Sequence, residues 1–144
     1  MLPEAMELVI VTPTRQLIRT RTREVTLPGA NGYLGVLPGH APLMTELGIG
    51  ELTFQSAAQT EPLSVIRGFA EVLPDRVTVL AETAELAAEI DLERAEAAKA
   101  RAEKRLAAGD PNIDWDRVSV ALQRALIRIQ VARKRRGAPE SSRP

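Results

Sequence analysis

The period of the chain changes near Ala81, and this break constrains the fold more than any single motif. From Met6 to about Glu82 the apolar residues fall in short or alternating runs separated by turn residues, the pattern of strands. Beyond Ala81 the composition shifts to Ala, Glu, Lys, Arg and Leu, the strongest helix formers, with no Gly or Pro before Gly109. The reading is α+β, mainly β: an N-terminal β-sandwich followed by a C-terminal antiparallel helical hairpin.

In the first part the strand candidates are Glu7–Val11, Gln16–Arg19, Glu24–Leu27, Leu34–Leu37, Glu51–Gln55, Leu63–Ile66, Phe69–Leu73 and Arg76–Leu80. The spacing predicts about ten strands in all, as in a sandwich or flattened barrel. Reversals fall at Pro13-Thr14, Gly29-Ala30-Asn31-Gly32, Pro38-Gly39 and Pro74-Asp75, where Gly and Asn tolerate positive φ and Pro presets the turn. Tyr33, Phe54 and Phe69 are the only aromatic residues there, so Val, Leu and Ile must fill the core.

A first helix is expected from Leu86 or Asp91 to Ala107, stopped by Gly109-Asp110-Pro111. Asp114 suits the N-cap of a second helix of about 22 residues, roughly 33 Å long, with Asp116 in its first turn and Arg133–Arg136 in its last. A link this short makes the two helices antiparallel neighbours. Ala95, Ala98, Ala102 and Leu106 can then meet Val118, Leu122, Ala125, Ile129 and Ala132 along a seam whose small side chains bury little area. The expected organisation is a sandwich over 1–85, a hairpin over 86–136 and a Pro/Ser/Gly-rich disordered tail over 137–144.

Composition closes several functional classes. Without cysteine there is neither a disulfide framework nor a thiolate site. His40 is the only histidine, which removes a second histidine as triad member or metal ligand, and no cluster of carboxylates accompanies it, so no metal is expected. There is no nucleophile with a base nearby and no Gly-rich phosphate loop, so the chain reads as a non-enzyme. No apolar run approaches the roughly 18 residues that cross a bilayer, and the first basic residue, Arg15, comes too late for a signal peptide. The net charge of zero hides an asymmetry: residues 1–90 carry 6 basic and 11 acidic side chains, residues 91–144 carry 13 and 8. A nucleic-acid reading of the basic half lacks stacking aromatics, with only Trp115 there. A membrane-surface helix is a weaker fit than a partner helix, because the residues divide between a small-residue seam and an arginine stripe.

An ordered set of segments carries a resemblance. Val11-Thr12-Pro13 is followed by Leu27-Pro28-Gly29 with Gly32, then by the run from Leu34 to Leu43 through Pro38-Gly39-His40-Ala41-Pro42. Gly68-Phe69-Ala70-Glu71-Val72, Val77 to Glu82 and Glu89 to Ala95 continue it. Taken together, from Met6 to Arg135, these resemble the epsilon subunit of bacterial F-type ATP synthases. The resemblance implies a sandwich that grips the gamma shaft and touches the c ring. It also implies a hairpin that lies folded or extends toward the alpha and beta catalytic subunits, where it inhibits ATP hydrolysis, with the protein peripheral at the cytoplasmic face of the plasma membrane. It places the turn around Tyr33 toward the c ring and the segment holding His40 toward gamma, although Tyr33 stands where some relatives have acidic residues. For His40 itself two uses remain open, a partner contact or a bond to local backbone.

The segment Ile90-Asp91-x-x-Arg94-Ala95 is similar to the nucleotide-sensing motif of some epsilon subunits, which implies ATP as a regulatory ligand. Asp91 can accept from an adenine amino group or a hydroxyl, Arg94 can donate a fork to phosphate oxygens, and Ala95 leaves room for a flat base. The competing use of the same residues is an N-cap followed by an i, i+3 ion pair. Arg101, Arg124 and Arg128 align with the family's remaining ATP-binding positions, and Glu85 with a further ligand contact. From Arg117 to Arg136 there are seven basic and no acidic residues. The alternative is a structural coupling subunit without ATP sensing, its hairpin basic for electrostatic reasons only.

Overall fold

The computed structural model describes residues 2–57 and 59–141, with the backbone alone from 135 to 141. Seven strands form one hydrogen-bonded sheet: β1 (Met6–Val11), β2 (Gln16–Thr22), β3 (Val25–Gly29), β4 (Gly32–Val36), β5 (Leu43–Ser56), β6 (Gln59–Leu73) and β7 (Arg76–Leu86), in the order β2-β1-β7-β6-β5-β3-β4. The β1–β7 pairing is parallel and the others antiparallel.

The sheet curls back on itself. Thr22 Oγ1 at the end of edge strand β2 donates to the Gln55 carbonyl at 2.7 Å, and the Gln55 N–H donates to the Glu24 carbonyl at 3.0 Å. Curling encloses one core, made of Met6, Leu8 and Ile10 of β1, Leu47 and Leu52 of β5, and Val77 and Val79 of β7, among others. Alternation puts these side chains inward, since successive strand residues face opposite sides.

Seven strands stand where about ten are expected, and two of them are longer than the candidates. Leu63–Ile66 and Phe69–Leu73, which read as separate strands, are halves of β6. Arg67 (φ 56) and Gly68 (φ 142) bend it between them, while its register to β5 and β7 runs on unchanged. The residues from Leu43 to Gly50, outside the strand candidates, are the first half of β5. Gly50 is needed for space: a Cβ there would lie 2.6 Å from Pro28 Cβ and 2.9 Å from the Tyr33 hydroxyl.

The chain divides into two compact units, the first ending at Leu86 and the second beginning at Ala87. The second opens with a single 3₁₀ turn, Ala87–Glu89, followed by α1 (Leu92–Ala107) and α2 (Trp115–Ser141). Both expected caps are present: Asp91 Oδ1 accepts from the Arg94 N–H and Asp114 Oδ1 from the Arg117 N–H, each at 3.1 Å. Gly109 (φ 70) takes the left-handed conformation just past the end of α1. α2 is longer than expected and its backbone is helical to Ser141; the rest of the anticipated tail, 142–144, lies outside the described residues.

Candidate functional site

The helical unit carries most of the candidate residues, and two small contacts decide how they are arranged. Of the expected seam, Ala95 and Ala102 of α1 and Val118, Ala125, Ile129 and Ala132 of α2 are buried, joined by Leu92, while Ala98, Leu106 and Leu122 are half-buried. At its open end, Ala87, Ile90, Leu92 and Ala95 cluster with Ile129, Val131 and Ala132. Arg133 of α2 pairs with Glu96 of α1 at 3.0 Å, which fixes one flank of the hairpin.

Each helical residue turns about 100° from the last. On α1 this places Glu96 and Glu103 on the flank marked by that ion pair, and Arg94, Arg101 and Arg105 on the opposite one. On α2, Arg133 lies on the first flank and Arg117, Arg124 and Arg128 on the other. Because the helices are antiparallel and the Glu96–Arg133 pair matches their first flanks, the opposite flanks also coincide. One side of the hairpin is therefore an arginine flank contributed by both helices. Among the described residues of α1 and α2 no acidic side chain shares it, and Asp91 stands at its N-terminal end.

Four of the candidate residues, Arg94, Arg101, Arg124 and Arg128, come together on this flank. Arg94 and Arg101 are exposed, whereas Arg124 and Arg128 are half-buried. The Nε of Arg124 is buried and has no acceptor among the described residues. A buried donor left unpaired costs about 1–3 kcal/mol, and a phosphate or carboxylate oxygen would remove that cost. The flank thus presents guanidinium forks of the kind that pair with oxyanions, and one donor, Arg124 Nε, has no acceptor among the described residues.

The remaining candidates are placed differently. Asp91 is exposed, and one of its carboxylate oxygens already caps α1. Ala95, expected to leave room for a flat base, and Ile90 are buried in the cluster against α2. Glu85 belongs to the first unit, half-buried on β7 opposite Ser64, whose buried Oγ has no partner among the described residues. The other flank of the hairpin holds an open groove of about 650 Å³ lined by Lys99, Leu126, Ile129, Gln130, Arg133 and Lys134, and none of the candidates lines it.

In the first unit, His40 Nδ1 lies 2.7 Å from the Ala41 carbonyl oxygen, the local-backbone use. Its loop is tied down by the Gly39 N–H, which donates to the Pro74 carbonyl at 2.7 Å. Tyr33 stands exposed on edge strand β4, and its hydroxyl accepts from the Glu51 N–H at 3.2 Å. The β3–β4 turn beside it closes over Ala30-Asn31.

Two features escaped the sequence reading. Arg105 belongs to the arginine flank, and its spacing of four from Arg101 was the available signal. The outer face of β5, β6 and β7 exposes Met44 (64 %), Phe69 (55 %) and Leu80 (56 %). Alternation along Phe69-Ala70-Glu71-Val72, which puts Phe69 opposite the core side, is the signal for this face.

Comparison with known proteins covers both units. Residues 5–87 match the beta-sandwich domain of the ATP synthase delta/epsilon chain, and residues 88–133 match the long alpha-helix domain of the same chain. The ATP synthase epsilon chain of Koribacter versatilis is 51 % identical over 108 residues, 75 % of this chain and 76 % of that one. That of Geobacter sulfurreducens is 48 % identical over 132 residues, 91 % and 96 %. Among solved structures, a chain of the Euglena gracilis mitochondrial ATP synthase (OSCP/F1/c-ring) is similar in fold, with a TM-score of 0.68 and 21 % identity over 96 % of this chain and 83 % of that one. A chain of the Tetrahymena thermophila central stalk and c-ring assembly has a TM-score of 0.58 at 11 % identity, over 88 % and 96 %.

Proposed function

Since this chain belongs to the delta/epsilon family of ATP synthase chains, as an epsilon subunit rather than a catalytic one, we propose that it is a regulated coupling element of the rotor. In this reading the sandwich grips the gamma shaft through the face beside the His40 loop and meets the c ring near Tyr33. The hairpin is the movable part. Extended toward the alpha and beta subunits it inhibits ATP hydrolysis, and folded it releases them. The chain then works as a peripheral protein at the cytoplasmic face of a bacterial plasma membrane; no helix among the described residues is long and apolar enough to cross one.

ATP is the ligand proposed to hold the hairpin folded. The observation that carries this is the one-sided arginine flank with its unpaired Arg124 Nε. Arg94, Arg101, Arg124 and Arg128 would take the phosphates, Asp91 would offer its free oxygen to the base or ribose, and Glu85, Ile90 and Ala95 would complete the surroundings. A ligand that binds only the folded form shifts the balance by RT ln(1 + [ATP]/Kd), about 2.7 kcal/mol at a hundredfold excess over Kd. Reversing a closure gap of a few kcal/mol needs no more.

A second reading is favoured by Asp91 itself. Its carboxylate is engaged as a cap, and the buried Ile90 and Ala95 contribute packing without any ligand. The chain would then be a structural coupling subunit whose basic flank serves acidic protein partners only. Isothermal titration of the full chain with ATP, ADP and GTP separates the two: saturable heat with ATP supports sensing, and none at millimolar ATP leaves the structural reading.

A further inference from the structure

The chain has two asparagines, Asn31 and Asn112, and both are exposed. They differ in the residue that follows, which is Gly32 after the first and Ile113 after the second. That neighbour governs how long an asparagine lasts. Its backbone nitrogen can attack the side-chain carbonyl carbon of the asparagine, and a β-branched side chain crowds the approach where a glycine hydrogen does not. Gly32 is also open on the outside: a Cβ built there would meet nothing within 4 Å.

The turn itself demands this pair of residues. Asn31 is the second residue of the two-residue link between β3 and β4, and Gly29 and Gly32 form the last pair of their ladder. Gly32 has φ 135, a conformation that side chains rarely adopt, so the position keeps its glycine and with it the unhindered nitrogen. The first half of the turn is fastened, because the Ala30 N–H donates to the Glu46 carbonyl at 2.9 Å. The second half is not: the Asn31 side-chain amide makes no hydrogen bond among the described residues. β4 lies at the edge of the sheet and pairs on one side only, so the pair at its turn opens locally at far lower cost than the central strands. Each opening gives the Asn31–Gly32 backbone the freedom that the attack needs.

We propose that Asn31 is a site of intramolecular deamidation, converted through a cyclic imide to a mixture of isoaspartate and aspartate. The Gly32 nitrogen, its proton lost to hydroxide, bonds to Asn31 Cγ. The Cγ–Nδ2 bond then breaks, and the amide nitrogen leaves as ammonia with protons from solvent. Water opens the imide at either carbonyl: attack at the main-chain carbon leaves the chain running through Cγ as isoaspartate, and attack at Cγ restores the chain as aspartate. Nothing is oxidised or reduced; one water enters, one ammonia leaves, and the turn gains one negative charge. The isoaspartate form also adds a methylene to the main chain, which disrupts the Gly29–Gly32 pair. The reaction is independent of the rotor reading above; within that reading the altered turn is the one assigned to the c ring.

The test incubates the full chain at neutral and at mildly alkaline pH, folded and in denaturant, and follows it by peptide mapping with mass spectrometry. Ion-exchange chromatography of the intact chain reads the added charge, and methyl transfer by an isoaspartyl methyltransferase reads the isoaspartate. Asn31 in the folded chain should convert roughly tenfold or more faster than Asn112, whose attacking nitrogen belongs to a β-branched residue. The rate should rise with pH, and an acidic form containing isoaspartate should accumulate in step. Asn31→Gln, which would need a larger ring for the same attack, should show no such form, with circular dichroism confirming that it folds. A folded-state rate at Asn31 no greater than at Asn112 overturns the proposal, as does an acidic form that persists in Asn31→Gln. Conversion of Asn31 in denaturant alone shows that the hairpin protects the pair, and overturns it equally.

Discussion

Gly68 sits where no other residue fits. Its φ is 142, and a Cβ there would meet the Leu80 carbonyl oxygen and lie 2.8 Å from Ala81 Cα, both backbone atoms of β7 that cannot swing aside. Gly68→Ala should cost more than about 2 kcal/mol, read as a lower midpoint of chemical denaturation of the full chain. Nothing around Gly68 in the chain announced this, because the close approach comes from a strand 13 residues further on. Asp91 is the contrary case: capping is local, and its acceptance from the Arg94 N–H was readable from the order of residues. Asp91→Ala should lose about 1 kcal/mol of hairpin stability. Arg94→Ala should leave stability nearly unchanged, since the side chain is exposed, yet weaken ATP binding roughly ten- to hundredfold, the value of a charged hydrogen bond. Calorimetry on both variants separates the cap from the ligand contact, and unchanged affinity in Arg94→Ala would remove Arg94 from the site.

The hairpin shows what an element adds to its residues. α1 is 16 residues long, close to the length at which an isolated helix is marginal in water, so its persistence depends on the seam. That seam is mostly alanine, with Ile129 as its largest buried α2 side chain. Ile129→Ala should cost about 2–4 kcal/mol and loosen the open end around Ile90 and Leu92, detectable as faster amide exchange in α1 with the sheet unaffected. Seam and caps were legible because 3.6-residue periodicity and helix-end chemistry are short-range. The arginine flank was legible only in part. Spacing grouped the arginines on each helix, but aligning the two flanks required the Glu96–Arg133 contact across the seam. Among the strands, Arg67-Gly68 separates two strand candidates and Leu43–Gly50 lies outside all of them, yet long-range pairing with neighbouring strands makes both parts of continuous strands.

At the scale of the whole molecule, two compact units carry two different kinds of surface. The first has its own core and displays an apolar outer face. The second is closed by small side chains and concentrates cations on one flank, where like charges within a Debye length of about 8 Å repel unless an anion lies among them. In the proposed reading the first unit is the anchor that stays bound, and the second, loosely packed and rich in cations, is the arm that changes partner. The measurement that bears most directly on this is steady-state ATP hydrolysis by the α3β3γ assembly carrying either the full chain or a chain ending at Ala87, each at saturating occupancy. The account predicts that both bind, that the full chain slows hydrolysis at low ATP and releases it as ATP rises, and that the shortened chain leaves the rate high throughout. Equal rates with the two chains at every ATP concentration would contradict it.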